Sequence, residues 1–156
     1  MPFWVQHAEK RVNTQYQQVG LSSDEVVELS ASFRLYGFWR IELDSGLFFA
    51  TEDVCRIFGM EPQEGPINLM AVTARIHPED MPRLMETFER ASAERLTYHN
   101  IYRVRTDAED YKYVRSVGKF RDKAGSAGEV VGLTYEFFAQ RPGVTFFLND
   151  MPGDQA

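Results

Sequence analysis

The chain has 156 residues, 44% hydrophobic and 13% aromatic, which is enough to bury one core and too few for two domains of ordinary size. Its 17 basic and 23 acidic side chains leave a net charge of −6, with no Lys/Arg run to track phosphates, so no nucleic-acid partner is expected. A single cysteine forbids an internal disulfide, no signal-peptide pattern opens the chain, and no apolar stretch is long enough to span a bilayer; the expected setting is cytoplasmic, without membrane contact.

From Phe3 to Val19 the apolar residues Val5, Ala8, Val12, Tyr16 and Val19 step by three and four, predicting a helix that Gly20 stops. Ser22 stands three residues ahead of Glu25, the spacing of a capping box, and a second helix is predicted from Ser23 to Leu35 with Val26, Leu29 and Phe33 on its apolar side. These stripes fit either packing on the chain's own domain or a dimer seam. Short runs rich in aromatic and branched residues follow, Tyr36 to Leu43 and Leu47 to Ala50, joined by Asp44-Ser45-Gly46 as a hairpin. Thr51 is placed to cap a short helix through Phe58, closed by Gly59. Met60 to Gly65 reads as loop, and the apolar segment Ile67 to Ile76 has no decided character. At His77-Pro78-Glu79-Asp80 a helix is predicted to begin, with Pro78 in its first turn, and to reach Glu94. Pro82 is then expected to tighten or bend its first turn. Three strands complete the pattern: Leu96 to Arg105, Tyr111 to Asp122 and Glu129 to Phe138. Helices set between two groups of strands indicate an α+β domain with one antiparallel sheet.

This order, with Gly37-Phe38-Trp39-Arg40-Ile41-Glu42-Leu43-Asp44-Ser45-Gly46, Ile57-Phe58-Gly59, Ile76-His77-Pro78-Glu79-Asp80, Tyr102-Arg103-Val104-Arg105 and Gly128-Glu129-Val130-Val131-Gly132-Leu133 at its corners, resembles the PAS fold. Within that family it is similar to the large bacterial sensory-box subgroup with a His-Pro-acidic-Asp signature. The resemblance covers Tyr36 to Phe138. It implies a five-stranded antiparallel sheet with helices over one face, here with an N-terminal helical extension. The implied division is 1–35 for dimerisation or docking, 36–139 for the PAS domain and 140–156 for a tail. The implied roles are the sensing of small molecules, light or redox state, or the holding of partners.

Cofactor chemistry finds little purchase. Val54-Cys55-Arg56-Ile57-Phe58 looks like the flavin-adduct motif of the light-sensing branch, yet it precedes the helix that would face a flavin, and Cys55 reads as a buried core thiol. Haem needs an axial imidazole, and His77 suits a helix cap better than a ligand, so flavin and haem are not expected. No metal is expected, for want of a close His or Cys pair. Glu79, Asp80, Asp107, Glu109 and Asp110 fit caps and turns, nucleophile elbows and phosphate loops are absent, and no catalytic residues or enzyme activity are expected.

Strand parity, aligned to the family, turns Asn100, Tyr102 and Val104 inward on the first of the last three strands. It does the same for Val114, Ser116 and Gly118 on the second, and for Leu133, Tyr135 and Phe137 on the third. Val54, Phe58, Leu84 and Phe88 add helical faces to this candidate pocket. Tyr135 stands where many relatives have Gly, so an inward phenol would limit the cavity to a small metabolite or fill it. The candidate interface is Val5, Val12, Tyr16, Val26, Leu29 and Phe33, with Tyr113 and Val117 on the outer face of the sheet. Family members that drive kinases or cyclases close the last strand with Asp-x-Thr, where this chain has Ala139-Gln140-Arg141 before Pro142-Gly143. The function these residues imply is a stand-alone PAS regulator acting through a signalling protein partner and homodimerisation. The alternatives are a small-molecule sensor, or the sensory fragment of a histidine kinase or cyclase-type protein.

Overall fold

In the computed structural model, residues 6–9, 14–137, 143, 145, 147 and 148 are described. Leu35–Phe137 make one compact unit, and the residues from 14 to 34 belong to a second. In that second unit Ser22 and Glu25 close the predicted capping box, each side chain taking the other's backbone N–H at 3.1 Å. This starts helix α1, Ser23–Ala31, which stops short of Leu35 because Ser32 is extended and Phe33 turns left-handed at φ 67°. The helix predicted over Phe3 to Val19 is reduced, among the described residues, to a 3-10 helix at Gln15–Val19; Gln6 to Glu9 have no regular structure. Thr14 offers it no side-chain cap, and neither end carries a charge that complements the helix dipole, so little holds a longer helix together. Val5 and Val12 lie outside the described residues.

The sheet begins with β1 (Tyr36–Glu42) and β2 (Phe48–Ala50), turned by Gly46 at φ 71°. Thr51 does not cap the next helix. Its Oγ1 accepts the Phe38 N–H at 3.0 Å while its own N–H donates to Phe38 O, which extends the β1–β2 ladder by one residue. Helix α2 (Glu52–Ile57) follows, ending at Gly59 in the left-handed region. Asn68 caps α3 (Leu69–Thr73) through the Met70 N–H, so the apolar segment of undecided character holds one short helix. Helix α4 is Met81–Glu94, starting four residues later than the predicted His77. Pro82, not Pro78, takes the first-turn position, and His77 to Asp80 form the turn before it.

Strands β3 (Thr97–Arg105), β4 (Tyr111–Arg121) and β5 (Glu129–Glu136) complete one antiparallel sheet in the order β2-β1-β5-β4-β3. The fold class is α+β, as the element order implies. Helix α2 packs against β1 and β5, and α4 against β3 and β4. Between them lies a core that includes Phe48, Ile57, Phe58, Val104 and Val114.

The pairing fixes which residues share a face. Tyr102 opposes Val114 and Asn100 opposes Ser116, while Ser116 and Gly37 both oppose Thr134, so all of these point toward the helices. The inward set on β5 is therefore Val130, Gly132, Thr134 and Glu136. Leu133, Tyr135 and Phe137, predicted inward, lie on the outer face. Glu136 is accommodated on the inner face because Lys112 of β4 reaches it at 2.5 Å. Tyr135 is 8% exposed for a different reason. It stacks on Tyr36 at 5.7 Å, meets Phe137 edge-on, and its hydroxyl accepts from Arg115 at 2.6 Å.

Candidate ligand cavity

Two glycines shape the inner face. A Cβ on Gly132 would fall 2.4 Å from the Trp39 ring, and one on Gly118 would fall 2.7 Å from the Tyr98 ring and hydroxyl. With no side chain at either place, Trp39 and Tyr98 lie down across β4 and β5. Above them, between the sheet and α2, α3 and α4, is a cavity of about 510 Å³. Its walls are largely apolar and aromatic, with Phe48, Phe58 and Phe88 among them.

A line of hydrogen bonds runs along one wall. Trp39 Nε1 donates to Thr134 Oγ1 at 3.0 Å, Thr134 and Ser116 share a bond of 2.7 Å, and Ser116 and the Tyr102 hydroxyl share one of 2.8 Å. Burial pushes the Tyr102 phenol up to about 12, against the opposing pull of its hydroxyl partners. The Tyr98 phenol is raised too, chiefly by burial and then by the nearby Tyr102. Both are neutral near pH 7. Asn100 and Tyr98 are the exceptions to this satisfied wall: both line the cavity, and neither the carboxamide of Asn100, a residue 7% exposed, nor the Tyr98 hydroxyl has a hydrogen-bond partner among the described residues.

At the far end of β3, Asp80 ties the turn before α4 to the sheet. Its Oδ2 accepts from the Arg103 backbone N–H at 2.9 Å and from Nε at 3.0 Å, and its Oδ1 from Nη2 at 2.9 Å. Hydrogen bonding to Arg103 holds the carboxyl below the usual range, against the opposing effect of burial.

The model of the PAS fold matches residues 47–134, more than half of the chain. The chain belongs to the PAS family. This PAS domain is 26% identical to the sensory box histidine kinase/response regulator from Burkholderia thailandensis E264, with a TM-score of 0.56 over 70% of this chain and 82% of that one. The N-terminal domain of a diguanylate cyclase with PAS/PAC sensor from Marinobacter aquaeolei is 18% identical, with a TM-score of 0.55 over 65% and 94%. The PAS-B domain of Drosophila melanogaster Cycle, solved with bound ethylene glycol, is 19% identical, with a TM-score of 0.51 over 65% and 99%. No curated protein matches the chain.

Of the residues proposed from sequence for the PAS pocket, Val54, Phe58, Leu84, Phe88, Asn100, Tyr102 and Ser116 line this cavity. Val104 and Val114 are fully buried on the same face, in the core below it. Leu133 instead lines a groove of about 630 Å³ on the outer face, with Phe38, Val117, Val131, Lys119 and Arg121. Tyr135 and Phe137 are also on that side, so neither limits the cavity. Trp39, Tyr98 and Thr134 were missed; Gly37 and Ile41, sharing Trp39's parity on β1, were the available signal. Cys55 is buried and lies outside the lining. His77 accepts the Glu79 N–H through Nδ1 at 3.1 Å and packs against Tyr111, away from the cavity. Among the described residues, no three His, Cys, Asp or Glu side chains converge as metal ligands, and no helix is long and apolar enough to cross a membrane.

Proposed function

We propose that this chain is a non-catalytic sensory PAS module in which a small molecule occupies the cavity and biases a surface that engages a signalling partner. Asn100 carries the proposal. Its carboxamide opens onto the cavity with donor and acceptor both uncommitted, so a bound molecule that answers them gains hydrogen bonds that the wall does not otherwise use. Binding then shifts the population of surface conformations by its differential affinity for them. The His77-Pro78-Glu79-Asp80 corner supports placement in the subgroup with that signature, and the lone buried thiol suits a cytoplasmic setting. Denaturing extraction of the purified protein, followed by mass spectrometry, is expected to release one colourless small molecule per chain. A stoichiometric flavin or haem in the extract would contradict this reading.

A homodimer is favoured by a separate observation. Val27 and Leu29 of α1, at 54% and 66% exposure, place two apolar side chains in solvent on a short helix. Tyr113, 57% exposed, and Val117 offer further apolar surface on the outer sheet face. The doubly substituted Val27→Asp/Leu29→Asp chain is expected to sediment as a lighter species than the parent. Equal sedimentation of the two as monomers would remove the dimer.

A further inference from the structure

We propose that the cavity selects uncharged, mainly apolar molecules that present one amide-like edge, and rejects the same skeleton when that edge is a carboxylate. This rests on the reading of the cavity as a ligand site and adds the chemistry of its occupant.

Charge decides the first half. Among the residues that line the cavity there is no Lys, Arg or His; the two ionisable carboxylates present are Glu42 and Glu89. Glu42 is engaged by Arg40 and by the Ser45 hydroxyl, and Glu89 is solvent-exposed. An anion entering this space would give up its hydration, meet no counter-charge and face two groups of its own sign. Burial of an unpaired carboxylate is strongly opposed, whereas a carboxamide of the same shape loses far less.

The available polar groups decide the second half. Thr134, Ser116 and Tyr102 are already joined to each other and to Trp39, so they have limited capacity for a guest. Asn100 retains its whole edge, a carbonyl that accepts and an NH₂ that donates. A guest with one donor beside one acceptor answers both at once. The Tyr98 hydroxyl, likewise without a hydrogen-bond partner among the described residues, lies on the same wall. The aromatic rings around them supply flat apolar contact for the rest of the molecule.

Three probes of one skeleton test this with the 156-residue chain: 2-naphthamide, 2-naphthoate and naphthalene, titrated at pH 7 and followed by two-dimensional amide and indole N–H spectra. The amide is expected to bind at least about 30-fold more tightly than the carboxylate, with shifts centred on Trp39 and Asn100. Asn100→Leu is expected to weaken the amide about tenfold while leaving naphthalene unchanged; Asn100→Ser carries the same comparison if the leucine variant does not fold. Equal affinity for amide and carboxylate would overturn the charge selectivity while leaving the cavity a ligand site. An unchanged amide affinity in both variants would overturn the role of Asn100. Failure of all three probes to bind would overturn the ligand-site reading itself.

Discussion

Asp80→Ala should lower the free energy of unfolding by about 2–3 kcal/mol at pH 7, one of the two largest losses expected from a single substitution. Asp80 is 8% exposed as a residue, and its carboxylate holds three donors of Arg103, one of them the backbone N–H of β3. Removing it strands that N–H and leaves the guanidinium only its longer contact with Glu79, at 3.4 Å. Because Arg103 is a quarter exposed, solvent returns part of the loss, which keeps the figure below that of a fully buried pair. The pH dependence follows from the direction of the shift. The folded-state value is lowered, so the contribution of Asp80 is complete above the ordinary carboxylate value, about 4, and disappears as pH falls through the lower folded value. Asp80→Asn should therefore be weaker than the parent at pH 7 and converge on it in acid. Denaturant unfolding at both pH values measures this, and parallel curves would contradict the assignment.

The same residue illustrates how far the sequence could be read. His77-Pro78-Glu79-Asp80 marks a helix start by its composition, and the start exists, but Asp80 spends its carboxylate on Arg103, 23 residues away, and not on the helix amides. Pro82 is the residue whose missing N–H costs nothing there. Thr51 repeats the lesson, because a hydroxyl with a local capping option takes the Phe38 amide across the hairpin instead. Local chemistry announces that a boundary is near; the tertiary partner decides which atom closes it.

Parity succeeded on β3 and β4, where buried and exposed positions alternate through Asn100, Tyr102 and Val104 and through Val114, Ser116 and Gly118. It failed on β5 because the outward-facing residues at the end of that strand are the more apolar set. Leu133, Tyr135 and Phe137 look like natural interior residues, and Thr134 with Glu136 does not. What reverses the choice is contributed by other strands: Lys112 neutralises Glu136, Trp39 and Ser116 satisfy Thr134, and Tyr36 with Arg115 covers Tyr135. None of these partners is within hydrogen-bonding reach in the sequence, so a strand central to the sheet, with a neighbour on each side, is the one least legible alone. The glycines carried the missing information. Gly132 has a positional meaning that only its own parity with Thr134 exposes.

Gly132→Ala should cost about 3 kcal/mol, at the upper end of the range for overpacking a well-ordered interior. The added methyl would stand 2.2 Å from the Val117 carbonyl oxygen and 2.4 Å from Trp39 Cζ2. The first of these is backbone in the β4–β5 ladder, which cannot withdraw without loosening the pairing of Gly118 with Gly132 and its neighbours. The second is an indole whose Nε1–H is bound to Thr134, so moving the ring breaks the hydrogen-bonded wall of the cavity as well. Gly125→Ala provides the comparison. Nothing lies within 4 Å of its Cβ, and its cost is confined to the left-handed backbone, about 1–2 kcal/mol. Denaturant unfolding should rank Gly132→Ala well below Gly125→Ala in stability, and the Trp39 indole N–H resonance should move in the first variant alone. A loss at Gly132 no greater than that at Gly125 would mean that Trp39 does not rest on the sheet, and the floor of the cavity would have to be redrawn.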